Sequence, residues 1–255
     1  TSAPGAPEPR LTHDPCESIM SNSYCITFDD VKAAAARIEG AAHRTPVLTS
    51  SSINSIANLN LFFKVEALQK TGSFKFRGAL NAVRWELEKT TADHLDVVTH
   101  SSGNHAQALA LAAKLSSTEA CPVRATIVMP ESTPSIKKQA VIAFGGQPVM
   151  TANTNEAREE KAEEIRQATG AIFIHPSEDP RVIAGQGTVC YEMIHQVEAQ
   201  YNTTLDTVII PVGGGGLAAG NTIALRALLG DKVKIILAEP SELDDAKRSF
   251  DAKQL

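Results

Sequence analysis

Cysteine is sparse in this chain and follows no pattern. Cys16, Cys25, Cys121 and Cys190 are scattered, with no Cys-x-x-Cys pair. Neither a disulfide framework nor a zinc site is expected, and free thiols in a reducing cytoplasm are. Positive charge is not in excess: 24 Lys and Arg stand against 29 Asp and Glu, a formal net charge of −5. Nucleic acid therefore gains no general electrostatic hold. No apolar run approaches the roughly 20 residues that a membrane-spanning helix needs, and no internal repeat is visible. The opening residues lack both the apolar stretch of a signal peptide and the Arg-rich pattern of a transit peptide. With four prolines and little apolar periodicity, residues 1–23 read as a disordered tail. The chain opens on Thr1 rather than Met, which fits processing or a partial gene. The sequon at Asn202 has no secretory signal with it and reads as a chance match.

What is present is regular alternation. From Phe28 onward, helices are expected over 31–38, 74–87, 104–115, 135–144, 155–168, 183–200 and 217–229, with Thr27 or Asp29 capping the first. Strands are expected over 61–66, 97–99, 125–129, 171–174, 207–211 and 233–238. Most of these strands are short continuous apolar runs, the mark of strands covered on both faces in an α/β architecture with mostly parallel sheets. Three β–α steps between 96 and 174 form a small α/β domain. Residues 24–95 and 175–255 make up the larger one.

Four segments carry chemistry. In KTGSFKFRG (70–78), Gly72 and Ser73 make a turn and Lys75 falls in the first turn of the next helix. There the helix dipole and partial burial both favour a neutral amine, the nucleophilic form. In isolation, the same lysine reads first as a solvated side chain. Thr99 to His105 (THSSGNH) joins a strand end to a helix start, where N–H groups, hydroxyls and the Asn104 amide converge to bind an anion. A plain strand-to-helix turn is the alternative. Gly213, Gly214, Gly215 and Gly216 occupy another such junction. Four glycines are costly in backbone entropy, and what they permit is close approach of N–H groups to a phosphate. Neither a P-loop nor a dinucleotide fingerprint fits this spacing; a flexible loop is the alternative. Glu239, Glu242, Asp244 and Asp245 form an acidic turn around Leu243. It suits a hard divalent cation or is simply solvated.

In this order the segments resemble the fold-type II pyridoxal-phosphate enzymes of the serine/threonine dehydratase family. The resemblance rests on 73–81 (SFKFRGALN), 101–105 (SSGNH), Gly213 to Gly216, 45–51 (TPVLTSS) and 182–188 (VIAGQGT), and runs from Tyr24 to Asp245. It implies two parallel-sheet α/β domains, with the C-terminal part of the large domain missing from this chain. It also implies pyridoxal 5′-phosphate carried on Lys75, which serves as base on one face of the substrate Cα. Phe74 packs beside the cofactor ring, Asn104 bonds its 3′ oxygen, and Gly213 to Gly216 hold its phosphate. Ser101, Asn104 and His105 hold the substrate carboxylate.

Ser102 stands where dehydratases of the family carry alanine. The resemblance makes it the acid or base on the opposite face, as a two-base racemisation needs. A further hydroxyl donor in the carboxylate loop is the other reading. Glu239, Asp245 and the Leu243 carbonyl correspond to a site for Mg²⁺, Mn²⁺ or Ca²⁺. The implied activity is racemisation of L-serine to D-serine with β-elimination to pyruvate and ammonia, in a cytoplasmic homodimer. The alternatives are an L-serine/L-threonine ammonia-lyase and a truncated, impaired form acting as partner or regulator. Ala106 and Ser177 depart from the racemising pattern, and the family continues beyond Leu255.

Overall fold

The structure, a computed structural model, describes residues 24–253. The tail at 1–23, with Cys16, lies outside the described residues. Helix α1 (Phe28–Ile38) starts at Thr27, whose hydroxyl accepts the Asp30 N–H while the Asp30 carboxylate accepts the Thr27 N–H in return. This reciprocal box satisfies two of the free donors of the first turn. A short antiparallel pair follows, β1 (Val47–Leu48) with β2 (Phe63–Lys64), flanking helix α2 (Ser51–Ala57). The strand expected over 61–66 shrinks to two residues because the chain turns into a 3-10 helix at Glu66–Leu68. Helix α2 carries no buried residue, so no apolar stripe marks it in the sequence.

Helix α3 (Lys75–Leu87) leads into a wholly parallel sheet. Its strands are β3 (Leu95–His100), β4 (Val123–Pro130), β5 (Gln147–Thr151) and β6 (Ile172–Phe173), in the order β5-β4-β3-β6. Helices α4 (Asn104–Ser116), α5 (Ser135–Ala143) and α6 (Asn155–Thr169) make the connections. Strand β5 is not foreseen: it carries Pro148 and none of its residues is fully buried, so it lacks the apolar run that betrays the central strands. Helix α7 (Pro180–Tyr201) begins three residues before its expected start, because Asp179 caps it and Pro180 takes the first helical position. The chain then forms β7 (Thr207–Pro211), α8 (Gly216–Leu229), β8 (Lys234–Ala238) and α9 (Asp245–Ala252), with β7 and β8 paired in parallel.

Two main apolar cores result, with two smaller clusters beside them. One gathers Phe76, Leu80, Val83, Leu109, Ile127 and Met129 between α3, α4 and the four-stranded sheet. The other gathers Val31, Ile183, Ile210 and Leu225 around α1, α7 and α8. Helix α7 is the spine between them, and it touches its neighbours backbone to backbone. A Cβ on Gly185 would stand 2.6 Å from the Gly78 Cα on α3, and one on Gly220 of α8 would stand 2.2 Å from the Ile183 carbonyl. Only glycine permits such contact. Because α3 and α8 both press against α7, the loops that open them are brought side by side. No described helix is long and apolar enough to cross a membrane.

Candidate active site

Those two loops line one cleft of about 150 Å³, formed by Phe74, Lys75, Pro211 and Gly213 through Ala218. The Lys75 amine donates to the Pro176 carbonyl at 2.7 Å, across 101 residues of sequence. Burial lowers its pKa from the ordinary 10.5, so the neutral, nucleophilic amine is populated more readily than on a surface lysine. The Phe74 ring lies beside it, with its centroid 5.4 Å from the nitrogen.

The four glycines do different things. Gly215 is left-handed (φ +79°), a conformation that favours glycine. A Cβ on Gly214 would strike the Ser177 hydroxyl at 2.6 Å, and one on Gly216 the Ser177 carbonyl at 2.6 Å. Those two are thus glycine because Ser177 packs on them, a reason the sequence does not reveal. Gly213 meets nothing within 4 Å. Helix α8 opens here with no acidic residue in its first turn, which leaves its positive end free to face an anion.

A second cleft, of about 330 Å³, is lined by His100, Ser101, Ser102, Gly103, Asn155, Arg158, Glu159 and Pro176. Pro176 is common to both environments: it borders this cleft and accepts the Lys75 hydrogen bond. Pro176 thus links the Lys75 amine to the cleft that Ser102 lines. The Ser101 hydroxyl accepts the Gly103 N–H, tightening the turn ahead of α4. Asn104 is the first residue of α4 and is exposed, with Gly103 in the capping position rather than Asn104.

His105 is buried at the start of α4. Its ring is 2% exposed and lines neither cleft. Its Nε2–H donates to the Ile174 carbonyl at 3.2 Å. Burial, followed by the nearby Lys75 charge, pushes its pKa down to about 3. A ring that is neutral throughout the physiological range brings no cation to a carboxylate. What His105 can offer is its backbone N–H in the first turn of α4.

The acidic turn is local. The Glu239 carboxylate accepts the Ala246 N–H at 3.2 Å and the Lys247 N–H at 2.7 Å, closing the start of α9, where Asp245 is the first residue. Among the described residues no group of three or more His, Cys, Asp or Glu converges in a metal-binding arrangement. Residues that the sequence did not single out are Pro176, Asn155, Arg158 and Glu159. The last three come from α6, whose placement depends on the unforeseen strand β5.

A nucleophilic lysine, an aromatic ring beside it and an anion-receptive helix start in one cleft fit an aldehyde cofactor that carries a phosphate. Comparison with known proteins agrees. Residues 38–255 match the family described as pyridoxal-phosphate dependent enzyme. The chain belongs to that family. It is 48% identical to serine racemase of Mus musculus, over 90% of this chain and 65% of that protein. It is 42% identical to beta-hydroxyaspartate dehydratase of Paracoccus denitrificans, over 90% of this chain and 69% of that one. The crystal structure of serine racemase from Dictyostelium discoideum superposes with a TM-score of 0.82 at 42% identity, covering 91% of this chain and 71% of that one. The chain thus spans about two thirds of the length of the relatives it matches.

Proposed function

We propose that the protein bearing this chain racemises L-serine to D-serine and also eliminates the β-hydroxyl, giving pyruvate and ammonia. The observation that carries the reading is that Ser102 lines a cleft bordered by Pro176, the residue whose carbonyl accepts the Lys75 amine. When bound, pyridoxal 5′-phosphate supplies the electron sink that makes the Cα–H bond labile. The protein supplies the rest. Lys75 carries the cofactor and, as a neutral amine, takes the Cα proton on one face. Ser102 delivers a proton on the other. Phe74 flanks the ring, Asn104 bonds its 3′ oxygen, and the N–H groups of Gly213 to Gly216 hold the phosphate. Ser101, Asn104 and the backbone of His105 hold the substrate carboxylate.

Residues 24–95 and 175–255 serve in this reading as the cofactor-bearing domain and 96–174 as the smaller one, in a cytoplasmic homodimer. Full-length protein loaded with cofactor should convert L-serine into both D-serine and pyruvate, resolved by chiral chromatography and a coupled pyruvate assay. Pyruvate without any D-serine would replace this reading with that of an L-serine/L-threonine ammonia-lyase. Ala106, a dehydratase-like residue, favours that second reading.

A divalent cation, Mg²⁺, Mn²⁺ or Ca²⁺, is proposed at Glu239, Asp245 and the Leu243 carbonyl. Added Mg²⁺ should raise the melting temperature of the wild-type protein and leave that of a Glu239→Gln, Asp245→Asn double variant unmoved. Equal responses would reject the site.

A further inference from the structure

The second cleft contains an imidazole that the reading above leaves unused. His100 ends β3, two residues before Ser102, and lines the same cleft. Its ring leans on Phe173 at 5.2 Å and meets the His175 ring edge-on at 5.9 Å. Those contacts fix its orientation, while no hydrogen bond ties its ring nitrogens to another described residue. His175 is itself occupied: its Nδ1 accepts the Ser177 and Glu178 N–H groups at 3.2 and 2.9 Å. His105 is buried and tied to Ile174. Of the three neighbouring imidazoles, His100 is the one with free nitrogens at the cleft wall.

A serine that gives its hydroxyl proton to Cα must regain it before the next turnover, and a serine alkoxide is too basic to persist near neutral pH. Imidazole is the side chain suited to that exchange near neutral pH. We propose that His100 is the proton relay behind Ser102, restoring or removing the proton of its hydroxyl and exchanging it with solvent through the cleft. The inference rests on the racemase reading above. In the L-to-D direction the Ser102 O–H bond breaks as the new Cα–H bond forms. An N–H bond of protonated His100 then breaks to restore the serine O–H, the neutral ring takes a proton from water, and the Lys75 ammonium N–H breaks to return to solvent the proton taken from Cα. In the D-to-L direction every transfer runs backwards, and no net proton is gained or lost.

The charged and titratable groups facing His100 are His175 after β6, His105 on α4, and Arg158 and Glu159 on α6. Burial, then His175, lowers the pKa of His100 from 6.5, and Glu159 opposes them. Burial and His175 thus favour the neutral ring, while Glu159 favours the protonated one.

The experiment uses the full-length, cofactor-loaded protein and its His100→Ala and His100→Gln variants. Borohydride trapping on Lys75 first establishes that each variant binds cofactor. The ratio of D-serine to pyruvate is expected to fall at least about tenfold, below the roughly 100-fold of a direct acid or base. Added imidazole should restore it in His100→Ala, a rescue that a merely structural role would not show. An unchanged ratio, or a lowered ratio that imidazole does not restore, would overturn the relay. If the wild type itself makes no D-serine, the racemase reading fails instead, so the two failures are separable. A readout independent of turnover is the NMR titration of the His100 ring in the wild-type chain without substrate. It should titrate below 6.5, and lower still in Glu159→Gln. A ring that stays neutral down to about pH 5 could not return the proton and would reject the proposal even if neither variant folds.

Discussion

Substituting Lys75 by alanine abolishes covalent attachment of pyridoxal phosphate. After stoichiometric loading, borohydride reduction and proteolysis, the cofactor is found on the Lys75 peptide of the wild type and on no defined peptide of the variant. The effect is complete loss rather than weakening, because nearby lysines cannot substitute. The Lys64 amine is held by the Thr45 carbonyl, Glu192 and Gln196, all within 2.8 Å, and its side chain is only 5% exposed. Lys70 lies toward the Phe76 ring and does not line the cleft with the glycine loop. Lys75 alone among these joins the loop, the Phe74 ring and a reactive amine.

The pH dependence follows from the same environment. The attacking species is the neutral amine, and burial lowers the pKa of Lys75 from 10.5. The trapping rate should therefore climb with pH through a midpoint below 10.5, and a free surface lysine should follow at higher pH. A midpoint at the ordinary value, or label on another lysine, would remove Lys75 from the centre of the site.

Much of this was readable from local pattern. Helices α3, α4 and α8 carry long helical periodicity or sharp glycine boundaries, and their observed starts fall within a residue of expectation. Strand β7 coincides with the TVIIP run. What escaped has non-local causes. Strand β5 is an edge strand without a buried face, and β1 exists only because β2 pairs with it. The reason for two of the four glycines is Ser177, more than thirty residues earlier in sequence. His105 looks polar and available in SSGNH, but whether an imidazole at that position is exposed depends on the Ile174 carbonyl across the sheet. Arg77 was legible as part of the lysine motif, with no sign of what it holds.

Arg77 is where the stability of the site is concentrated. It is 0% exposed, two residues beyond Lys75 in the first turn of α3. Its guanidinium binds two carboxylates, each in bidentate fashion: Glu66 at 2.8 and 2.8 Å, and Glu192 at 2.7 and 3.0 Å. Lys64 supplies the second positive charge at 2.8 Å from Glu192, so the buried set is neutral as a whole. Burial opposes the charge on Arg77, but the hydrogen bonds from Glu66 and Glu192 outweigh it and raise its pKa. Arg77→Met retains apolar volume yet leaves two carboxylates facing one lysine. Breaking a buried pair by removing one partner costs about 3–5 kcal/mol, so urea unfolding of the variant should show a loss of that order. Arg77→Lys keeps the charge but cannot engage two carboxylates with one planar fork, and should lose about 1–3 kcal/mol.

The sign of the pH dependence identifies the cause. Burial would raise the pKa of Glu192, but Arg77 and then Lys64 outweigh burial and hold it below the ordinary 4.5. Its contribution in the wild type is therefore present above pH 4.5 and lost as pH falls through the lower folded value. In Arg77→Met the buried carboxylate loses its main partner, its pKa rises, and protonation relieves it. The gap between wild type and variant should accordingly be widest near neutrality and narrow as pH falls below about 4.5. A gap independent of pH would mean that Arg77 acts through packing alone. Because this network anchors the first turn of α3, the Met variant should also trap cofactor more slowly at Lys75, under conditions where it is still folded.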